Sequence, residues 1–190
     1  MEDFGKREAI LQTTLYLVAK NGFHGTPISQ IAKQANVAAG TIYHYFESKD
    51  VLIKETYDFV EEHLLAAIKK DYPLASLFRE CYMHIGRKLI GSFVNSPMHY
   101  LFFEQFHNSP YGAAYRRDRI LGRLGDNVVM GLFEDALEQH VIKELPLMVL
   151  YALTFGPLMQ ITRDHIFELI ELDEILIEKI VEACWNSVKR

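Results

Sequence analysis

A chain of 190 residues, 49% hydrophobic and 24% charged, is long enough to bury a proper core and too apolar to remain disordered. It holds no unbroken apolar run of the roughly 18–20 residues a membrane helix needs, and its start, MEDFGKREAI, lacks a signal peptide's apolar core and cleavage site. A formal charge of −5 excludes a broadly basic surface, and two cysteines without CxxC or Cys/His spacing read as isolated thiols of a reducing cytoplasm.

Apolar residues recur at helical spacing throughout, and alternating strand patterns are scarce. The first helix is predicted from about Lys6 to Asn21, with Ile10, Leu11, Leu15, Val18 and Ala19 facing inward. Asn21-Gly22 ends it, because glycine takes the left-handed cap conformation readily. Phe23 is expected to tuck under the next element. Thr26-Pro27 opens the second helix, with threonine as the cap and proline in the first turn; Ile28, Ile31, Ala32 and Ala35 form its inner face. Asn36-Val37 makes a turn, and a third helix runs from about Ala39 to Tyr45. Ser48 caps the fourth, which continues to about Lys70.

Five further helices are expected, from about Leu74 to Val94, Pro97 to His107, Ala113 to His140, Pro146 to Glu168 and Asp173 to Val188, separated by proline, glycine and asparagine clusters. The fold class is therefore all-α, with about nine helices in two regions. Gly156-Pro157 falls inside the eighth helix, where a kink is expected. The ninth carries Ile177, Ile180, Val181, Cys184 and Val188 as a stripe beside Trp185, and the eighth carries Leu150, Leu153, Thr154 and Ile161. Two such helices from each of two subunits would make a twofold four-helix interface.

The segment TPISQIAKQANVAAGTIYHYFESKDVL, from Thr26 to Leu52, carries the functional signal. Two short helices and a tight turn make a helix-turn-helix, whose second helix puts its first residues against base edges. Ala38, Ala39 and Gly40 are small enough for close approach, and Thr41 offers a hydroxyl and a methyl. Ile42 and Phe46 lock the helix inward. Tyr43 and Tyr45 bring hydroxyls to phosphates, His44 sits nearest the groove, and Lys49 joins a charge to a helix N-terminus. From Met1 to Lys54 six lysines and arginines face five acids, a net of +1, so placed contacts must carry any affinity.

Gly22-Phe23, Thr26, Ile31-Ala32, Ala35-Asn36-Val37, Gly40-Thr41-Ile42-Tyr43-His44-Tyr45-Phe46 and Ser48-Lys49-Asp50-Val51-Leu52 together resemble the N-terminal signature of the tetracycline-repressor (TetR/AcrR) family. The match covers about Lys6 to Leu52 and is nearly gap-free; the order Tyr-His-Tyr departs from the frequent Tyr-x-His and Tyr-His-His variants. The resemblance implies an N-terminal helix-turn-helix domain over residues 1–48, a connecting fourth helix over 49–70, and a ligand-binding and dimerisation bundle over 71–190. It also implies DNA contact by the residues placed like Thr26, Thr41, Tyr43, His44, Tyr45 and Lys49, beside the close approach that the small Ala39 and Gly40 allow.

For an inducer, the candidates are Tyr82, Phe93, Tyr100, Phe103, Glu104, Phe106, Tyr111, Phe155 and Met159, since aromatic and thioether walls with a few polar groups suit a planar or greasy ligand. The expectation is a cytoplasmic homodimer, joined through the eighth and ninth helices, that represses transcription from a palindromic operator. A small hydrophobic or aromatic compound would release it. A TetR-like activator stays open, as does a small helical ligand-binding protein or enzyme without DNA binding. No nucleophile elbow, phosphate loop or HExxH supports catalysis, and no histidine pair has ligand spacing, so neither cofactor nor metal is expected.

Overall fold

The computed structural model describes residues 2–73, 77–120 and 128–190. Its helices are α1 (Glu2–Asn21), α2 (Ile28–Gln34), α3 (Ala39–Tyr45), α4 (Lys49–Lys69), α5 (Phe78–Asn95), α6 (Pro97–His107), α7 (Pro110–Ile120), α8 (Val128–Glu138), α9 (Leu147–Ile166) and α10 (Glu174–Val188). Among the described residues ten helices stand where nine are expected, with α7 and α8 in the span of the expected seventh, on either side of residues 121–127, which lie outside the described part. Residues 74–76, at the expected start of the fifth helix, lie outside it too. Among the described residues, strand-like pairing is confined to an isolated antiparallel bridge between Ile142 and Lys189.

Contacts divide the chain into two compact units: Met1–His63 with Ser96–Asp118, and Leu64–Asn95 with Arg119–Arg190. The packing therefore places α6 and most of α7 with the N-terminal helices, although the sequence suggests a functional division near residues 48 and 70.

In the first unit α1 is buried on two sides. Ile10, Leu11 and Leu17 join Ile31, Ala32, Ile42, Phe46 and Leu52 in one cluster. Leu15, Val18 and Ala19 join Ile53, Tyr57, Val60, Phe102 and Phe106 in another. Gly22, at φ 73, ends α1 as expected, and Phe23 packs edge-on to Phe102 at 6.3 Å and tilted on Tyr111 at 5.4 Å. Tyr57 stacks on Phe106 at 4.0 Å and meets His107 Nε2 through its hydroxyl at 3.2 Å. His63 and His99 lie ring against ring at 5.5 Å. Burial first, and then His63, hold the His99 imidazole below its ordinary pKa.

In the second unit α5, α9 and α10 pack on one another, and α8 lies against α9. The crossing of α5 and α10 needs Gly86, where a Cβ would meet Val181 Cγ1 at 2.6 Å. Arg87 forks onto both Glu178 oxygens at 3.0 and 2.8 Å along the same pair of helices, and Arg79 pairs with Glu182. Buried Thr154 and Thr162 satisfy their hydroxyls on the carbonyls four residues back, at 2.7 Å each. α9 runs on through Pro157. The proline ring removes the donor due to the Leu153 carbonyl, and Ser187 Oγ on α10 reaches that oxygen at 3.5 Å.

The stripes expected to face a partner divide: Leu153 of α9 is exposed, and Ile161, Ile177 and Ile180 are half-buried. Val181, Cys184, Trp185 and Val188 of α10, with Leu150 and Thr154 of α9, are buried within the protomer. The outer side of α9 exposes Met148, Val149, Ala152, Leu153, Gly156 and Pro157.

Gly86→Ala should lower unfolding free energy by about 1–3 kcal/mol in urea titration without loss of helical content, since a methyl overpacks the α5–α10 crossing. The depressed His99 pKa gives a pH dependence. An unfolded chain takes the proton near 6.5 while the folded one resists, so stability is full above that value and falls as pH drops through the folded pKa. His99→Gln should flatten the loss of thermal stability measured between pH 7 and about pH 5.

Candidate nucleic-acid interface

The turn between α2 and α3 is a helix C-cap made without glycine. Asn36 takes φ 54, the Val37 N–H donates to the Ala32 carbonyl at 3.0 Å and the Asn36 N–H to that of Lys33 at 3.4 Å. This pattern closes the last turn of α2 and redirects the chain into α3; asparagine tolerates the left-handed conformation better than most residues do. Ala38, extended at φ −71 and ψ 148, precedes α3, and no side chain caps it.

Ile42 and Phe46 are buried, so the opposite side of α3 is fixed. It presents Ala39, Gly40, Tyr43 and His44, all exposed, at helical spacings of one and four. Tyr43 is the most open of the large hydrophobic side chains in the segment, at 55%. A Cβ at Gly40 would meet nothing within 4 Å, so internal packing does not require the glycine. Thr41 and Tyr45 flank this face half-buried; Tyr45 lies on the core and meets His44 edge-on at 5.4 Å.

Two of the expected DNA contacts are placed otherwise. Thr26 is fully buried, and its hydroxyl donates to the Gly22 carbonyl at 2.8 Å. Pro27, not Thr26, occupies the cap position of α2, and no side chain caps that helix. Lys49 is half-buried, and its Nζ donates to the Phe23 carbonyl at 2.7 Å. Both side chains are committed to the corner that joins α1, α2 and α4. Ser48 caps α4 as expected, accepting from the Val51 N–H at 3.2 Å.

Sequence reasoning passes over Arg7, whose guanidinium lies 5.5 Å over the Phe46 ring and pairs with Glu55. No local spacing signals a contact between residues so far apart. It also passes over the acidic ridge of α4. The first unit includes Glu55, Asp58, Glu61 and Glu62, so eight lysines and arginines face eleven acids, a net of −3 rather than +1. Burial, and then the charges of Glu61, Glu55 and Glu62, raise the Asp58 pKa.

The inducer candidates fall in both units. Tyr82, Phe93, Phe155 and Met159 belong to the second; Tyr100, Phe103, Glu104, Phe106 and Tyr111 belong to the first. Tyr82, Phe93, Tyr100, Phe106 and Phe155 are buried core side chains. A cleft of about 380 Å³ in the second unit is lined by Arg79, Glu80, His84, Arg87 and Glu178 among others, and one of about 310 Å³ in the first by Phe23, His24, Lys49 and Tyr111. Tyr111 alone of the candidates borders either.

Comparison with known proteins extends along the whole chain. Residues 10–56 match the family of bacterial regulatory proteins of the tetR type, and residues 75–189 match a tetracyclin repressor-like C-terminal domain. An uncharacterised helix-turn-helix-type transcriptional regulator of Haemophilus influenzae is 25% identical over 184 residues, 96% of this chain and 95% of that protein. The regulator BetI of Yersinia pestis is 37% identical over 65 residues, 34% of this chain and 33% of that protein. The crystal structure of a TetR-family regulator from Haemophilus influenzae superposes with a TM-score of 0.82 at 23% identity, covering 100% of both chains. One from Marinobacter aquaeolei gives 0.84 at 24% identity, covering 100% of this chain and 98% of that one.

Proposed function

The chain belongs to the tetracycline-repressor family of DNA-binding transcriptional regulators, and on that premise we propose that it is a cytoplasmic, dimeric repressor released from a palindromic operator by a small molecule. The observation that carries the reading is the outer face of α3: small at Ala39 and Gly40, hydrogen-bonding at Thr41, Tyr43 and His44, and held rigidly from behind by Ile42 and Phe46. Small residues let the backbone approach a groove, and the polar side chains then reach base edges and phosphates. Tyr45 contributes at the edge of this face. Thr26 and Lys49 serve it indirectly, through the corner they hold. Catalysis has no part in this reading.

Dimerisation uses the outer side of α9, where Leu153 of the expected stripe is exposed, and not the residues of α9 and α10 buried within the protomer. Val149 and Leu153 are 41% and 39% exposed, with Met148, Ala152 and Pro157 beside them, an apolar face that a second copy would cover. Reading a palindrome in successive major grooves requires two copies of α3 about 34–36 Å apart. Inducer response rests on the second unit, whose aromatic interior includes Tyr82, Phe155 and Trp185. Its charged cleft adds that the inducer carries a polar or ionic end beside its apolar body. Such a compound acts only by binding better to a conformation that spaces the two heads wrongly.

Selecting duplexes from a random pool with the native protein should enrich a palindrome. Against that duplex, Thr41→Ala and Tyr43→Ala should each weaken binding roughly tenfold or more with thermal stability unchanged. Thr26→Val should instead lower the melting temperature, because it breaks the bond to Gly22. Unchanged affinity in both α3 variants would sink the assignment. Val149→Asp should sediment as a monomer and lose on the order of a hundredfold in affinity for the full palindrome, while half-site binding persists.

A further inference from the structure

One side chain from α7 touches both ends of the helix-turn-helix. Upstream of α2, the Phe23 ring lies 5.4 Å from that of Tyr111. Downstream of α3, Asp50 in the first turn of α4 accepts a hydrogen bond from the Tyr111 hydroxyl at 2.7 Å. The same two ends are tied directly, because Lys49 Nζ reaches the Phe23 carbonyl at 2.7 Å. The reading segment is thus a loop of chain pinned at its base, and Tyr111 sits on the pin.

Tyr111 is itself held firmly. Its ring stacks on Phe106 at 6.3 Å and 16°. α7 approaches α6 so closely that a Cβ at Gly112 would meet the Phe106 carbonyl oxygen at 2.4 Å and His107 Cα at 2.5 Å. Arg116 donates to the His107 carbonyl at 2.6 Å and closes the corner from the other side. Burial, then the bond to Asp50, push the phenol pKa up to about 12, so the hydroxyl keeps its proton across the working range. The Tyr111 ring also borders the first unit's cleft, beside His24 and Lys49.

We propose that Tyr111 is a positioning residue for DNA reading: its ring fixes the entry to α2, its hydroxyl fixes the start of α4, and together they set the attitude of α3 without touching DNA. The inference rests on α3 being the DNA-reading helix. Base-edge contacts tolerate little change in helix attitude, whereas contacts with phosphates tolerate more. Removing the hydroxyl alone leaves the ring stack and the fold in place, so the loss should appear as specificity.

The test uses the full-length protein, the duplex it enriches from a random pool, and a scrambled duplex of equal length. Tyr111→Phe should lower affinity for the enriched duplex roughly three- to tenfold, with scrambled-duplex affinity unchanged. Its melting temperature should move by less than about 2 °C. Asp50→Ala should give a similar loss, and the double variant should lose no more than the worse single, because one bond is broken once. Unchanged affinity in Tyr111→Phe, additive losses in the double variant, or equal losses on both duplexes that track a lower melting temperature would each overturn the proposal. A native protein that enriches no duplex would overturn the reading role of α3 as well, which separates the two failures.

Discussion

The reading head depends on α1 being buried on two sides at once. α2 and α3 have seven residues each, too short to hold together as helices in water. They persist because Ile31, Ala32, Ile42 and Phe46 lie on Ile10, Leu11 and Leu17, each buried aliphatic side chain contributing about 1.5–3 kcal/mol. The other side of α1 is occupied by Tyr57, Val60, Phe102 and Phe106. α6 is therefore part of the support of the head, although more than forty residues separate it from Tyr45. Gln105 shows how tightly it is joined: its amide donates to the Ala19 carbonyl near the end of α1 at 3.0 Å.

A head assembled this way inherits the charges of its supports. The acids of α4 turn a nearly neutral sequence segment into a unit of net −3. Such a unit gains little from counterion release, the term that dominates non-specific DNA affinity. Directional contacts from one small, rigid face must then do more of the discrimination, and rigidity becomes a functional requirement. That is why the polar groups of the corner, Thr26, Lys49, Asp50 and Tyr111, are joined to one another and to backbone instead of being left to water.

Much of this was legible in the sequence, and the failures have a common cause. Helix periodicity, Gly22, the Asn36 turn and the Ser48 cap each follow from local chemistry, so they could be read from neighbouring residues. The roles of Thr26 and Lys49 could not, because their partners are carbonyls presented by a turn that exists only after folding. Leu17 lies off the single amphipathic stripe that periodicity gives α1, because that helix is buried on two sides. The stripe on α10 was real, but a period of 3.6 says only that a face is covered; it does not say whether the cover belongs to the same chain. A ring at helical spacing likewise serves a core or a pocket equally well: of the inducer candidates, Tyr82 and Phe155 lie in a core and Tyr111 borders a cleft.

α9 shows what exposure adds to periodicity. Its sequence, LMVLYALTFGPLMQITRDHI, is apolar most of the way round, the pattern of a helix covered on more than one side. Inside the unit, Leu150, Thr154, Phe155, Leu158 and Thr162 account for one side. The two threonines satisfy themselves on their own helix, and the carbonyl that Pro157 leaves without a donor faces Ser187. The hydroxyls of the buried side are thus satisfied within the helix. What is left over is apolar and open, and it sits on regular helix that cannot collapse to hide it. In the dimer we propose, a second copy related by a twofold axis would offer the same face in return, and each would supply the cover that the other lacks.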